Sequence, residues 1–304
     1  MILLHAGADT GSLWTDWDWE LGIVIPLAVS AWLYVRGLRL LWDEHVGRGI
    51  RVWEASCFAA GWITTALALL SPLHALSEQL FVAHMVQHEL LMVIAAPLLL
   101  VGQPLVPMLW ALPSNARRTV GRMTRRRTLR STWRFLTLPL VAFVLHGAAI
   151  WIWHAPALYQ ATLASDFVHA LQHLSFFGTA LLFWWTVIHA HAPGGRARAV
   201  SFGAAVLLLF GTALHSGALG ALLTFSRTLW YPAYGSAARA WGLTPFEDQQ
   251  LAGLVMWIPA TFAYLVAALF LFAGWLRASE ERVHERELAR EHERAQRAEG
   301  DTWL

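Results

Sequence analysis

Seven runs of mostly apolar residues set the frame for this chain. A helix needs about 20 such residues to cross a hydrocarbon core of about 30 Å, and a lipid-exposed backbone can satisfy its own amides only in helices or closed barrels. The runs fall at roughly 20–42, 53–70, 78–101, 135–154, 166–190, 199–225 and 249–276. They predict an all-α polytopic membrane protein, a bundle of seven transmembrane helices over residues 20–276. An extracytoplasmic segment, 1–19, precedes it, and a charged cytoplasmic tail, 277–304, helical or disordered, follows. The composition agrees: 57% of the residues are hydrophobic, only 14% are charged, and the mean hydropathy is +0.47. The start, MILLHAGADTGSLWTDWDWE, lacks a basic opening and a continuous apolar stretch, so it does not read as a cleaved signal peptide. Its Trp14, Trp17 and Trp19 suit an interfacial aromatic belt.

Orientation follows from the connections. Every basic side chain apart from histidine is an arginine. The first joint carries Arg48 and Arg51, the second (Ser71 to Ser77) has none, and the third holds RRTVGRMTRRRTLRSTWR. The fourth, WHAPALYQATLASD, is again free of arginine, and the fifth, APGGRAR, is basic. The sixth spreads Arg227 and Arg239 over a long stretch. By the positive-inside rule the N-terminus lies outside and the C-terminus in the cytoplasm. The tail places Arg282, Arg286, Arg290 and Arg294 on one helical stripe among acidic residues, the pattern of a solvated, salt-bridged helix, with a lipid or partner contact as the alternative. A net charge of +2 gives no reason to expect nucleic acid. The single cysteine, Cys57, excludes a disulfide within the chain and any CxxC motif.

Chemistry must then rest on the 14 histidines. With a rise of about 1.5 Å per residue, His84 and His88 lie about 7–14 Å below the outer boundary and Met92 about 20 Å below it. His146 falls at about 12 Å, His169 and His173 at about 5–10 Å, and His215 at about 15 Å. Histidines of four spans running in both directions thus converge on the outer half of the membrane. The i, i+4 spacing of His84/His88 and of His169/His173 puts each pair on one helix face, where two imidazoles can share an ion. Imidazole suits copper, zinc, nickel and iron, and a thioether such as Met92 or Met256 favours Cu(I). A lone intramembrane histidine is commonly a hydrogen-bonded packing residue; two HxxxH pairs with His146 and His215 at similar depth argue for a metal site. His74 and His154 stand at the outer boundary, suited to metal entry or simple solvation. His5, His45, His284 and His292 read as surface residues, and His189 and His191 sit at the far, cytoplasmic end. Asp248 opens the seventh span, as a cap or as part of the metal layer. Asp166 reads as an N-cap. Glu89, about 100° around the helix from His88, cannot share the histidine face and needs another partner or a proton.

The strings FVAHMVQHELLM, WHAPALYQA, HALQHLSFFGTALLFWW and DQQLAGLVMWIPA, in this order, resemble the CtaG-like family of caa(3)-type cytochrome c oxidase assembly factors over about residues 20–275. This multispan bacterial family is distinct from the one-span, cysteine-bearing copper chaperone of the same name. The resemblance implies a plasma-membrane role in producing active haem-copper oxidase, with copper delivery the expected step. It carries over to His84, His88, His154, His169 and His173 and to Asp248, Gln249 and Gln250, while Glu89 departs from the apolar residue expected there.

The leading reading is a copper-handling assembly protein. It takes the metal from an extracytoplasmic donor, holds it through imidazoles, passes it to an oxidase subunit, and needs no catalysed reaction. A b-type haem protein with axial histidines is a second reading. The third is a metal-free scaffold for oxidase assembly, whose histidines only hydrogen-bond between helices. A transporter is weaker: no strong internal repeat is present, although Pro97, Pro139 and Pro259 are placed to kink their helices.

Overall fold

A computed structural model describes residues 17–189, 202–235 and 237–301. Trp14, His5 and His191 lie outside the described residues, as do the side chains of His284, His292 and the Arg282–Arg294 stripe. The described residues form helices without a strand. They run α1 (Leu21–Leu41), α2 (Val52–Leu70), α3 (Pro72–Ser77), α4 (Phe81–Glu89), a π-helical turn (Leu90–Ala95), α5 (Ala96–Val101), α6 (Leu105–Ala111), α7 (Ser114–Thr124), α8 (Arg127–Leu136), α9 (Pro139–Trp153), α10 (Pro156–Ala164), α11 (Asp166–Ile188), α12 (Phe202–Phe225), a 3-10 turn (Pro232–Tyr234), α13 (Ala237–Ala240) and α14 (Pro245–Asp301).

Six helical segments are long and apolar enough to cross a bilayer, or seven if the bent pair α8 and α9 counts as one span. The fourth expected span, 135–154, therefore differs from the others. Pro139 drives Leu138 into an extended conformation (φ −63°, ψ 132°), because its ring disfavours helical backbone in the residue before it. The helix breaks there by 67°, leaving the 15 residues of α9 to rise only about 22 Å. At the other extreme α14 runs unbroken for 57 residues, about 85 Å, with Pro259 inside it.

Span three, Phe81–Val101, sits at the centre, with 56% of its most apolar window buried against 11% for α1. It packs on α2, α11 and α14, while α9 bridges α11 to α12, and α12 lies along α14. Span three, α11, α9, α12 and α14 thus close into a ring; α2 packs against span three outside it, and α1 packs on α2 and α6. The outward faces are apolar, with Leu207, Phe210, Phe225, Phe262 and Phe270 all more than 60% exposed. Such a surface is at home in hydrocarbon and would be an aggregation hazard in water.

The π turn has a local cause. Pro97 has no amide proton to give, and its ring would press on the carbonyl four residues earlier, so the helix widens over the preceding turn. One carbonyl in this turn, that of Met92, accepts from the Trp184 indole N–H at 2.9 Å.

The α12–α14 contact depends on two glycines. A Cβ on Gly253 would fall on Thr224 Oγ1 and the Gly220 carbonyl, and one on Gly220 would meet the Gly253 carbonyl at 2.7 Å. Small residues let membrane helices approach this closely, and dispersion between backbones then replaces the hydrophobic drive that lipid does not supply. Gly253→Val is expected to cost about 1–3 kcal/mol and to lower the unfolding midpoint in detergent. Gly178→Ala, whose added Cβ meets nothing within 4 Å, should be neutral or slightly stabilising; equal midpoints for both variants would refute this packing.

Candidate metal centre

The α4 and α11 helices bring two i, i+4 histidine pairs face to face. His84 and His88 are 1% and 2% exposed, with ring centroids 4.3 Å apart. His169 and His173 approach Nε2 to Nε2 at 2.8 Å. Across the helices, His84 lies 5.2 Å from His169 and 5.9 Å from His173, and His88 lies 5.0 Å from His173, ring to ring. One ligand nitrogen from each of His84, His169 and His173 falls within 4.8 Å of the others. Two imidazole nitrogens bonded to one ion at about 2.0–2.1 Å stand about 3.3–3.6 Å apart at tetrahedral to trigonal angles, wider than the His169–His173 separation. Binding one ion would draw all three nitrogens, now within 4.8 Å of one another, to that ion-bound separation.

Hydrogen bonding shows which nitrogens are free. Tyr234 donates its hydroxyl proton to the Ser77 carbonyl at 3.2 Å, so its oxygen can only accept from Tyr159 O–H at 3.1 Å and from His84 Nδ1 at 3.4 Å. His84 then carries its proton on Nδ1, and its Nε2 presents a bare lone pair. That Nε2 has no hydrogen-bond partner, nor do both nitrogens of His88, Nδ1 of His173 and both amide atoms of Gln172. Buried polar atoms are seldom left so, since each costs about 1–3 kcal/mol. Burial pushes the Tyr159 and Tyr234 phenols above the usual tyrosine range, so both remain protonated donors. A ligand imidazole oriented by a second hydrogen bond on its other nitrogen is the usual support of a metal site.

The other expected site residues lie elsewhere. Asp248 is 1% exposed, and its two carboxylate oxygens accept the backbone N–H groups of Phe81 and Val82 at 2.8 and 2.9 Å. It caps α4, the helix that carries His84, rather than its own helix. Gln249 ties down the preceding loop, accepting from Trp230 N at 2.7 Å and donating to the Thr228 and Leu223 carbonyls, while Gln250 is exposed. Met92 lies in the π turn, buried in the apolar core. His154 is buried, not solvated at a boundary; it holds the Ile150 carbonyl through Nδ1 at 2.7 Å and meets the Met85 sulfur through Nε2 at 3.5 Å. His146 and His215 sit apart from the triad, between α9, α11 and α12. Glu89 Oε2 is buried without a hydrogen-bond partner, with Tyr264 of α14 as its neighbour.

Several contributors escaped the sequence reading. Tyr159, Tyr234 and Gln172 orient or line the triad, although WHAPALYQ and HALQH spell two of them in plain view. His74 stands at the rim, its ring 5.8 Å from His169 and nearly parallel to it, with Nε2 3.5 Å from Asp18.

The chain belongs to the cytochrome c oxidase caa3 assembly factor (Caa3_CtaG) family, whose model matches residues 32–278. It is 28% identical over 238 residues to uncharacterized proteins of Mycobacterium bovis and Mycobacterium tuberculosis, which covers 74% of this chain and 35% of each relative. An uncharacterized protein of Mycobacterium leprae is 25% identical over 255 residues, 80% of this chain and 37% of that one. The chain therefore spans little more than a third of the length of the curated relatives it matches. No solved structure matches it. Family and apolar helices together make it a multi-pass membrane protein.

The cap on α4 has a measurable weight. Asp248→Ala is expected to cost on the order of 2 kcal/mol and to speed amide exchange at Phe81 and Val82. Asp248→Asn, which keeps one acceptor, should fall between. Unchanged exchange at these two amides in the alanine variant would rule out the cap.

Proposed function

We propose that this caa3 assembly factor holds a copper ion between α4 and α11, with His84, His169 and His173 as ligands and His88 beneath them, and hands it to a haem-copper oxidase subunit. The observation that carries this reading is the convergence of three imidazoles on one point, with Nε2 of His84 deprotonated and unpartnered. Holding and handing over an ion requires no catalysed reaction.

Charge favours copper in its monovalent state. The donor set is neutral: the cluster holds three imidazoles and no carboxylate, Asp248 is committed to α4, and Glu89 lies about 100° around the helix from His88. The desolvation cost of a bare ion grows with the square of its charge, so a divalent ion would face about four times the penalty of a monovalent one. Imidazole ligation of Cu(I) fits that constraint without a thiolate. A haem fits less well, because the rings touch one another and leave no slot for a macrocycle between them. With the orientation expected from the positive-inside rule, the histidine end of α4 and α11 would face the extracytoplasmic side, where a copper donor would deliver.

Detergent-purified wild type, loaded with Cu(I) and desalted, should lose about one equivalent of copper per chain in the His84→Gln/His173→Gln variant, because a three-imidazole site is lost with two of its ligands. Neither sample should show a Soret band. Equal copper in both would defeat the proposal. Copper should also be retained at neutral pH and released as the pH falls, because protons compete for the same nitrogens. Retention that is flat with pH would point to ligands other than imidazole.

A further inference from the structure

We infer that His146 and His215 form a second, separate site for monovalent copper, between α9 and α12. This goes beyond the triad, since neither residue belongs to that group and each makes a different set of contacts. His146 is fully buried, and its Nδ1 stands 3.2 Å from Thr179 Oγ1. The Thr179 hydroxyl gives its only proton to the Ser175 carbonyl at 2.7 Å, so its oxygen can only accept from His146. His146 is thereby held in the tautomer whose proton is on Nδ1. Its Nε2 is a free lone pair with no hydrogen-bond partner.

The facing residue has the same property twice over, because both ring nitrogens of His215 are buried without a partner. Gly147, the residue after His146, makes the approach feasible. A Cβ there would stand 3.3 Å from His215 Nε2, so the missing side chain lets that nitrogen come up against α9. Phe183 stacks on His146 at 5.4 Å, and Phe143 packs edge-on to His215 at 5.5 Å, so the walls are apolar. Two neutral imidazoles in a dry, apolar setting suit an ion of single charge that accepts two ligands, which is the chemistry of Cu(I) and not of zinc with its four-coordinate preference. Thr179 lies six residues beyond His173 on α11, so this site is about 9 Å deeper along that helix than the triad.

The test is a Cu(I) titration of the detergent-purified full chain against a competing chelator, with X-ray absorption on the loaded samples. Wild type should bind two ions. His146→Gln/His215→Gln should bind one, in three-coordinate form, and His84→Gln/His173→Gln should bind one, in two-coordinate form. Two ions retained in the His146/His215 variant, or a wild type that binds one ion lost only with the triad, overturns the second site and leaves the triad standing. Loss of all copper in either double variant would mean a single shared site and also overturns it. One ion lost only with His146 and His215 would sink the triad and keep this site.

Discussion

Asp248 joins the two ends of the chain's core. Its carboxylate lies at the start of α14, and both oxygens are taken up by the first amides of α4, more than 160 residues away in sequence. In water, solvent could satisfy those amides; at the margin of an apolar bundle the protein must supply the acceptor itself. The bond sets the height of α4 against α14, and with it the level at which His84 and His88 meet α11. The DQQ string thus serves the histidine cluster from a distance: its aspartate places the helix that carries His84 and His88, and Gln249 secures the loop that carries Trp230 and Tyr231.

The polar interior divides into groups that are satisfied and groups that are not. Thr65, Thr212 and Thr224 return their hydroxyls to their own helices, and Trp184 caps the carbonyl freed by the π turn. The unpartnered atoms are mainly imidazole nitrogens. Because unsatisfied polar groups are expensive in a bilayer, their concentration on histidine, and not on serine or threonine, is itself chemical information. Tyr234 and Thr179 act alike in fixing a tautomer: each gives its proton to a carbonyl and so obliges a histidine to donate, leaving the other nitrogen open.

Much of this was legible in the chain. Apolar runs located the spans because length and composition alone decide whether a helix can cross, and the i, i+4 spacing of HMVQH and HALQH put each histidine pair on one face. Depth along a helix was recoverable from residue counting; azimuth was not, so His146 and His215 counted as neighbours of His84 although they face a different pair of helices. The break before α9 was written in Leu138–Pro139 but hidden by the apolar residues around it. That Asp248 serves a distant helix could not be read locally, since a cap supplied across the fold has the same sequence signature as one supplied to its own helix.

Helix α14 has a mechanical consequence. From Arg277 to Asp301 it continues about 36 Å past the last residue of its apolar span. A continuous helix behaves as a stiff rod, and its other end is clamped to α4 through Asp248. A tilt of about 5° about that clamp would swing the far tip, about 80 Å away, by about 7 Å. Whatever meets that tip is therefore linked by a lever to the height of the histidine-bearing helix.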